Sequence, residues 1–178
     1  MTPAELKRLV RTVPDFPQPG IQFRDITTLI GHGDGLAATV EWLAERVEDC
    51  GAQAIAGMEA RGFIFGAAVA AQLGLPFIPV RKPGKMPCKT IGIDYDLEYG
   101  TDRLEMDPAS IHTGQRVIMV DDLLATGGTA CATTQLLRMA GAQVTNAVFV
   151  IDLPDLGGAA RLGQSDVTVD ALMQFDGD

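Results

Sequence analysis

Apolar positions recur at helical spacing in two stretches near the start of the chain, then give way to short runs that are apolar throughout. Leu6, Leu9, Val10 and Val13 are spaced as one face of a helix. Ahead of them Thr2, Pro3 and Glu5 supply a cap, a first-turn proline and the returning acid of a capping box, so an opening helix is predicted. Pro14, Pro17, Pro19 and Gly20 stop it, and IQFRDITTLI, short, mixed and followed by Gly31, Gly33 and Gly35, is expected to form an irregular arm. Asp34 is placed to cap a second helix, whose apolar face carries Leu36, Val40, Leu43, Ala44 and Val47 and which stops near Cys50 and Gly51.

Strand-like and helix-like runs alternate thereafter: AIAGM, FIFGAAVAAQL, PFIPV, a long polar insert, RVIMV, TACATTQLLRMA and VTNAVFVI, with a last strand ending in VDALMQFDGD. Strands apolar along their whole length belong to a parallel sheet covered on both faces, so the fold class is α/β, a central parallel sheet flanked by helices. Within the insert, TIGIDYDLEYGTDRLEM alternates apolar and polar residues as a hairpin does. One domain is expected over residues 1–178, with an N-terminal helix and arm over about 1–33 and a flexible loop and hairpin over 81–106. Ligands of an open parallel sheet bind beyond the carboxyl ends of its strands. Glu59, Ala60 and Arg61, the segment after Val80 and the segment after Val120 therefore converge on one cleft.

Composition narrows the function. The 178 residues are 47% hydrophobic, enough for one core, and the formal net charge of −9 disfavours binding to a nucleic-acid backbone. No apolar run approaches the roughly 20 residues that cross a bilayer, and MTPAELKRLVRTV lacks a signal peptide's apolar centre, so a cytoplasmic protein without a membrane partner is expected. Cys50, Cys88 and Cys131 lack metal-type spacing and read as free thiols. His32 and His112 read as loop histidines.

Candidate chemistry concentrates in RVIMVDDLLATGGTA. A glycine-rich turn opening a helix offers unpaired N–H groups and the positive end of the helix dipole, which suit a phosphate monoester. Thr126 and Thr129 add hydroxyl donors, and Gly127 and Gly128 let an anion approach the backbone. Asp121 and Asp122 repel phosphate but can accept hydrogen bonds from vicinal ribose hydroxyls or retain Mg²⁺ nearby. Each part alone is an ordinary strand-to-helix turn with solvated acids; the whole ordered string describes a ribose 5-phosphate cradle. It is neither a Walker A loop nor a dinucleotide fingerprint. Arg81, Lys82, Lys85 and Lys89 fall within nine residues of an acidic chain; they fit a loop that closes over a multiply charged anion, and equally a solvated surface loop. Arg61, at the start of a helix, can grip a phosphate bidentately.

VDDLLATGGT resembles the phosphoribosyl pyrophosphate motif of the type I phosphoribosyltransferases, in the form carried by the adenine-using members; LEYG resembles the same members, and FPQPGIQFRDI is similar to their hood segment. The resemblance covers about residues 5–160 in the family's order. It implies the type I fold with an N-terminal hood, and transfer of ribose 5-phosphate from phosphoribosyl pyrophosphate (PRPP) to adenine, giving AMP and pyrophosphate. Asp121, Asp122, Ala125, Thr126, Gly127, Gly128 and Thr129 would hold the ribose and its 5′-phosphate. Glu59, Ala60, Arg61, Arg81, Lys82, Lys85 and Tyr99 would hold pyrophosphate, with the Glu59–Ala60 peptide cis. Gln22 would read adenine through its backbone, Phe23 would stack on the ring opposite Leu123, and Arg24, supported by Asp25, would lie at the base edge. Glu98 would take the purine proton. Mg²⁺ would be held mainly by PRPP and water, with Asp121 and Asp122 as nearby carboxylates, and the protein would be a homodimer. Two alternatives stay open. A sister enzyme acting on a 6-oxopurine or orotate would keep the cradle and change the base site. A sensor of PRPP would keep the fold, lose the basic loop or gain a DNA-binding domain.

Overall fold

The computed structural model describes residues 1–96 and 100–177. Helix α1 (Pro3–Leu9) opens with the capping box, Glu5 N–H donating to Thr2 Oγ1 at 3.3 Å and Thr2 N–H to Glu5 Oε2 at 2.7 Å. It is shorter than its apolar spacing predicts. Val13 precedes Pro14, which disfavours helical backbone at that residue, and instead lies on strand β1 (Arg11–Pro14), antiparallel to β2 (Gln22–Asp25) with Val13 opposite Phe23. The arm is thus ordered, a two-stranded ribbon followed by the single-turn helix α2 (Thr27–Ile30). Helix α3 (Gly33–Asp49) is capped by His32, whose Nδ1 accepts the Gly35 N–H at 3.0 Å, so Asp34 sits in the first turn and faces the positive end of the dipole.

The sheet is built from β3 (Ala54–Met58), β4 (Phe77–Val80), β7 (Val117–Leu124), β8 (Asn146–Asp152) and β9 (Thr168–Gln174), in the spatial order β4-β3-β7-β8-β9 and parallel throughout. Strands β5 (Ile91–Asp96) and β6 (Thr101–Met106) form the expected hairpin, with Tyr95 opposite Asp102. Helices α4 (Gly62–Leu73), α5 (Gly128–Met139) and the short α6 (Gly158–Gly163) complete the chain. One core places Leu43, Phe65 and Val69 against Ile55, Ile118 and Val148; the other places Leu136, Leu104 and Met106 against Met119 and Phe149. Both faces of the sheet are covered, which is why its strands read as unbroken apolar runs.

The strand order reverses between β3 and β7, so the carboxyl ends of these neighbours diverge around a crevice. β7 does not stop at Val120. It continues through the acids, with Asp121, Leu123 and Leu124 opposite Phe149, Ile151 and Asp152 of β8. The acid pair is therefore fixed on a central strand. Cys50 and Cys131 are half-buried and Cys88 is exposed, all three free.

Candidate active site

A cleft of about 360 Å³ opens at this switch point, bounded by Glu59, Ala60 and Arg61 after β3, by Lys82 after β4, and by β7 and the turn into α5. Asp122 is only 4% exposed, and its N–H donates to Asp121 Oδ1 at 2.9 Å. Asp121 lies over the first residue of α4: a Cβ at Gly62 would stand 2.4 Å from its Oδ1, so only glycine leaves room for that carboxylate. Burial, then the neighbouring charge of Asp122, pushes the Asp121 carboxyl well above its ordinary range. Burial also raises Asp122, against the opposing pull of Arg61. The Arg61 Nε lies 2.8 Å from Asp122 Oδ2, an ion pair, yet that oxygen accepts no aligned hydrogen bond among the described residues. It is shielded from solvent, so its charge is balanced mainly by Arg61.

From Leu124 the chain passes through Ala125 and Thr126 to Gly127, which caps α5 in the left-handed region at φ 78°. A Cβ there would also lie 3.0 Å from the Gly158 carbonyl oxygen, so glycine is required for two reasons. No side chain among the described residues caps this helix end, leaving its first-turn N–H groups to an anion. Thr129 Oγ1 lies 3.3 Å from Tyr95 Oη.

Across the cleft the Glu59–Ala60 peptide is cis. The Glu59 carboxylate faces the basic segment, accepting from Arg81 Nε at 2.9 Å and Lys82 N–H at 3.0 Å. What this turn presents to the cleft is its backbone and the half-exposed Arg61. Arg81 is committed to holding its own segment: Nη1 donates to the Lys85 carbonyl at 3.0 Å, and its backbone exchanges hydrogen bonds of 2.9 and 2.8 Å with Glu105 of β6. Lys82 lines the cleft, whereas Lys85 and Lys89 are exposed outside it. Lys82 Nζ is paired with Asp102 and lies 3.4 Å from Tyr95 Oη. Sequence reasoning missed this role for Tyr95 and Asp102; the signal available was their opposition in the hairpin.

The ribbon stands at the rim. Arg61 lies 5.9 Å from the centroid of the Phe23 ring, against which Phe16 packs edge-on at 5.1 Å, and Leu123 lines the cleft. Gln22 is half-buried on β2, opposite Pro14. Arg24 is held by Thr12 Oγ1 at 2.7 Å, by the Asp176 carbonyl at 3.0 Å and by the Phe175 ring, 4.7 Å away. Asp25 does not support Arg24 as expected. It accepts from Thr27 Oγ1 at 2.7 Å, from Thr27 N–H at 2.9 Å and from Arg11 Nε at 3.0 Å, bonds that lower its carboxyl to about 2, the Thr27 hydroxyl contributing most. Glu98 and Tyr99 lie outside the described residues. Among the described residues no group of three acids, histidines or cysteines could hold a metal by itself.

An acid pair of half-buried Asp121 and buried Asp122, a glycine-capped helix start and two cations around one cleft suit a sugar phosphate with a second anionic group. The sequence profile of the phosphoribosyl transferase domain matches residues 31–156, which include every one of these groups. The chain belongs to the phosphoribosyltransferase family. It is 71% identical over 177 residues to an adenine phosphoribosyltransferase of Novosphingobium aromaticivorans, covering 99% of each chain. Among solved phosphoribosyltransferases it is similar to the adenine phosphoribosyltransferase of Thermoanaerobacter pseudethanolicus, with a TM-score of 0.92 and 43% identity, covering 98% of this chain and 100% of that one. The Saccharomyces cerevisiae adenine phosphoribosyltransferase, solved with adenine and an imino-altritol 1,6-bisphosphate, matches at a TM-score of 0.90 and 34% identity over 96% of this chain and 98% of its own.

Proposed function

We propose that this protein transfers the ribose 5-phosphate unit of PRPP to adenine, forming AMP and releasing pyrophosphate, and so salvages the free base. The observation that carries the reading is the cleft itself: Asp121 and Asp122, the Gly127 helix start, Arg61 and Lys82 meet where two strands diverge. Full-length similarity to adenine phosphoribosyltransferases supports adenine over a 6-oxopurine or orotate.

The α5 start binds the 5′-phosphate, and the acid pair accepts hydrogen bonds from the ribose hydroxyls, fixing the sugar while its anomeric carbon gains positive character. The bond from that carbon to pyrophosphate breaks as a bond to a purine nitrogen forms. Arg61, Lys82 and the N–H groups near Ala60 meet the departing anion, and Arg81 and Lys85 frame the segment that carries Lys82. Bound Mg²⁺ supplies further charge neutralisation on pyrophosphate. Two carboxylates, one paired with Arg61, fit an ion delivered on the substrate and water better than a protein cage. Gln22, Phe23, Arg24 and Leu123 form the adenine side, Tyr99 belongs with the pyrophosphate loop, and Glu98 receives the proton leaving adenine. Glu98→Gln is expected to lower kcat about a hundred-fold with little change in KM; a purely binding defect removes Glu98 from that role.

A homodimer in the cytoplasm belongs to the same reading; no helix among the described residues is long and apolar enough to cross a membrane. Incubation with PRPP and Mg²⁺, and separately with adenine, hypoxanthine, guanine or orotate, tests it. AMP from adenine alone is expected. Another nucleotide would assign the protein to a sister enzyme, and tight PRPP binding without product to a sensor.

A further inference from the structure

The hairpin carries a set of polar contacts that joins the two ends of the cleft. Lys82 Nζ is paired with Asp102 Oδ2, and Tyr95 Oη donates to that same oxygen at 3.2 Å. With its single proton committed to Asp102, Tyr95 Oη can only accept from its other neighbours, Lys82 Nζ at 3.4 Å and Thr129 Oγ1 at 3.3 Å. The path therefore runs Lys82, Asp102, Tyr95, Thr129. Lys82 reaches it from the segment after β4, Tyr95 and Asp102 stand opposite one another in the hairpin, and Thr129 is on the first turn of α5. Lys82 and Thr129 both line the cleft, on the sides that the proposed function gives to pyrophosphate and to the 5′-phosphate respectively.

We propose that Tyr95 and Asp102 are positioning residues that set Lys82 at a fixed place relative to the 5′-phosphate cradle, so that both ends of PRPP are met at one spacing. A free lysine has a long stem with many rotamers and would lose that freedom on binding. Here the freedom is already removed: the carboxylate holds the ammonium and the Tyr95 ring lies 5.8 Å from it. Partial burial alone would depress the Lys82 ammonium; the bonds to Asp102 and Tyr95 outweigh it, so the group stays cationic. The opposing expectation is definite. An acid beside an anion site should weaken anion binding if its charge acts alone, so removing Asp102 would then tighten pyrophosphate.

The inference rests on the proposed transferase reading, and calorimetric titration of the native chain with AMP and with Mg²⁺-pyrophosphate tests that reading first; binding of neither ligand would fail it. Given binding, Asp102→Asn should weaken pyrophosphate about ten-fold, the loss of one charge-assisted hydrogen bond, and leave AMP within about two-fold. Tyr95→Phe should weaken both ligands, because it cuts the link to Thr129 as well, and Asp102→Glu, which keeps the charge, should recover part of the loss. In steady state, KM for PRPP should rise while KM for adenine stays unchanged. Pyrophosphate binding that is unaltered or tighter in Asp102→Asn overturns the proposal. So does, in Asp102→Asn, an equal loss for AMP and pyrophosphate with a lowered Tm, which marks a merely structural contact.

Discussion

Asp121 is held where a carboxylate is uncomfortable, half-buried on a central strand and beside a second acid. Its folded form keeps a proton more tightly than the unfolded chain does. Its contribution to stability is therefore greatest below the ordinary carboxylate range and is lost as pH rises into the raised range, leaving a net cost at neutral pH. Asp121→Asn keeps the oxygen that accepts the Asp122 N–H and removes the charge. We expect Tm at pH 7 to rise by about 2–4 °C while PRPP turnover falls at least about ten-fold. A lowered Tm with turnover intact would refute a ribose role. Asp25 has the opposite sign. With its carboxyl near 2 in the fold, its contribution is present above the ordinary range and is lost as pH falls through about 2. Asp25→Asn should flatten the acid limb of a stability curve between about pH 4 and 2, and an acid limb that keeps its native slope would count against it.

At the level of elements, what was legible followed from burial. β3, β4, β7 and β8 are covered on both faces and α4 is apolar nearly all round, so AIAGM, PFIPV, RVIMV, VTNAVFVI and FIFGAAVAAQL name them directly. β1 and β2, four residues each in a proline-rich stretch, carry no comparable pattern, and their pairing comes from register with each other. The extension of β7 through two acids contradicts the expectation that polar residues end a buried strand; β8 supplies the missing backbone partners. The Gly127 turn was readable because its chemistry is local: a left-handed residue, a free helix start and flanking hydroxyls stand within a few positions. The Lys82–Asp102–Tyr95–Thr129 path was not, because its members meet only after β4, the hairpin and α5 are assembled. Gly127→Ala tests the local part. A left-handed alanine costs about 1–2 kcal/mol, and its Cβ would stand 3.0 Å from the Gly158 carbonyl. A destabilisation of that size in urea with a raised KM for PRPP is expected, whereas native stability and KM would show that the turn tolerates a side chain.

Over the whole molecule, an acidic chain of net charge −9 gathers helix starts and a few cations at one crevice, which is where the proposed reading seats its anionic substrate. On the proposed reading the sites for the two ends of PRPP lie on different elements: the cradle on β7 and α5, the pyrophosphate side on the turns after β3 and β4. A ligand that occupies only one end should stabilise the fold through the elements it touches, by an amount fixed by occupancy alone. AMP at a hundred times its Kd is worth about 2.7 kcal/mol, which for a domain of this size corresponds to about 5–10 °C in Tm. Adenine alone cannot use the cradle, because it carries no phosphate for the α5 start to hold, so its shift at the same concentration should be much smaller. The comparison is informative in Gly127→Ala. If the α5 start supplies the phosphate site, the AMP shift falls toward that of adenine while the adenine shift is preserved; an AMP shift equal to the native one would place the phosphate elsewhere in the cleft.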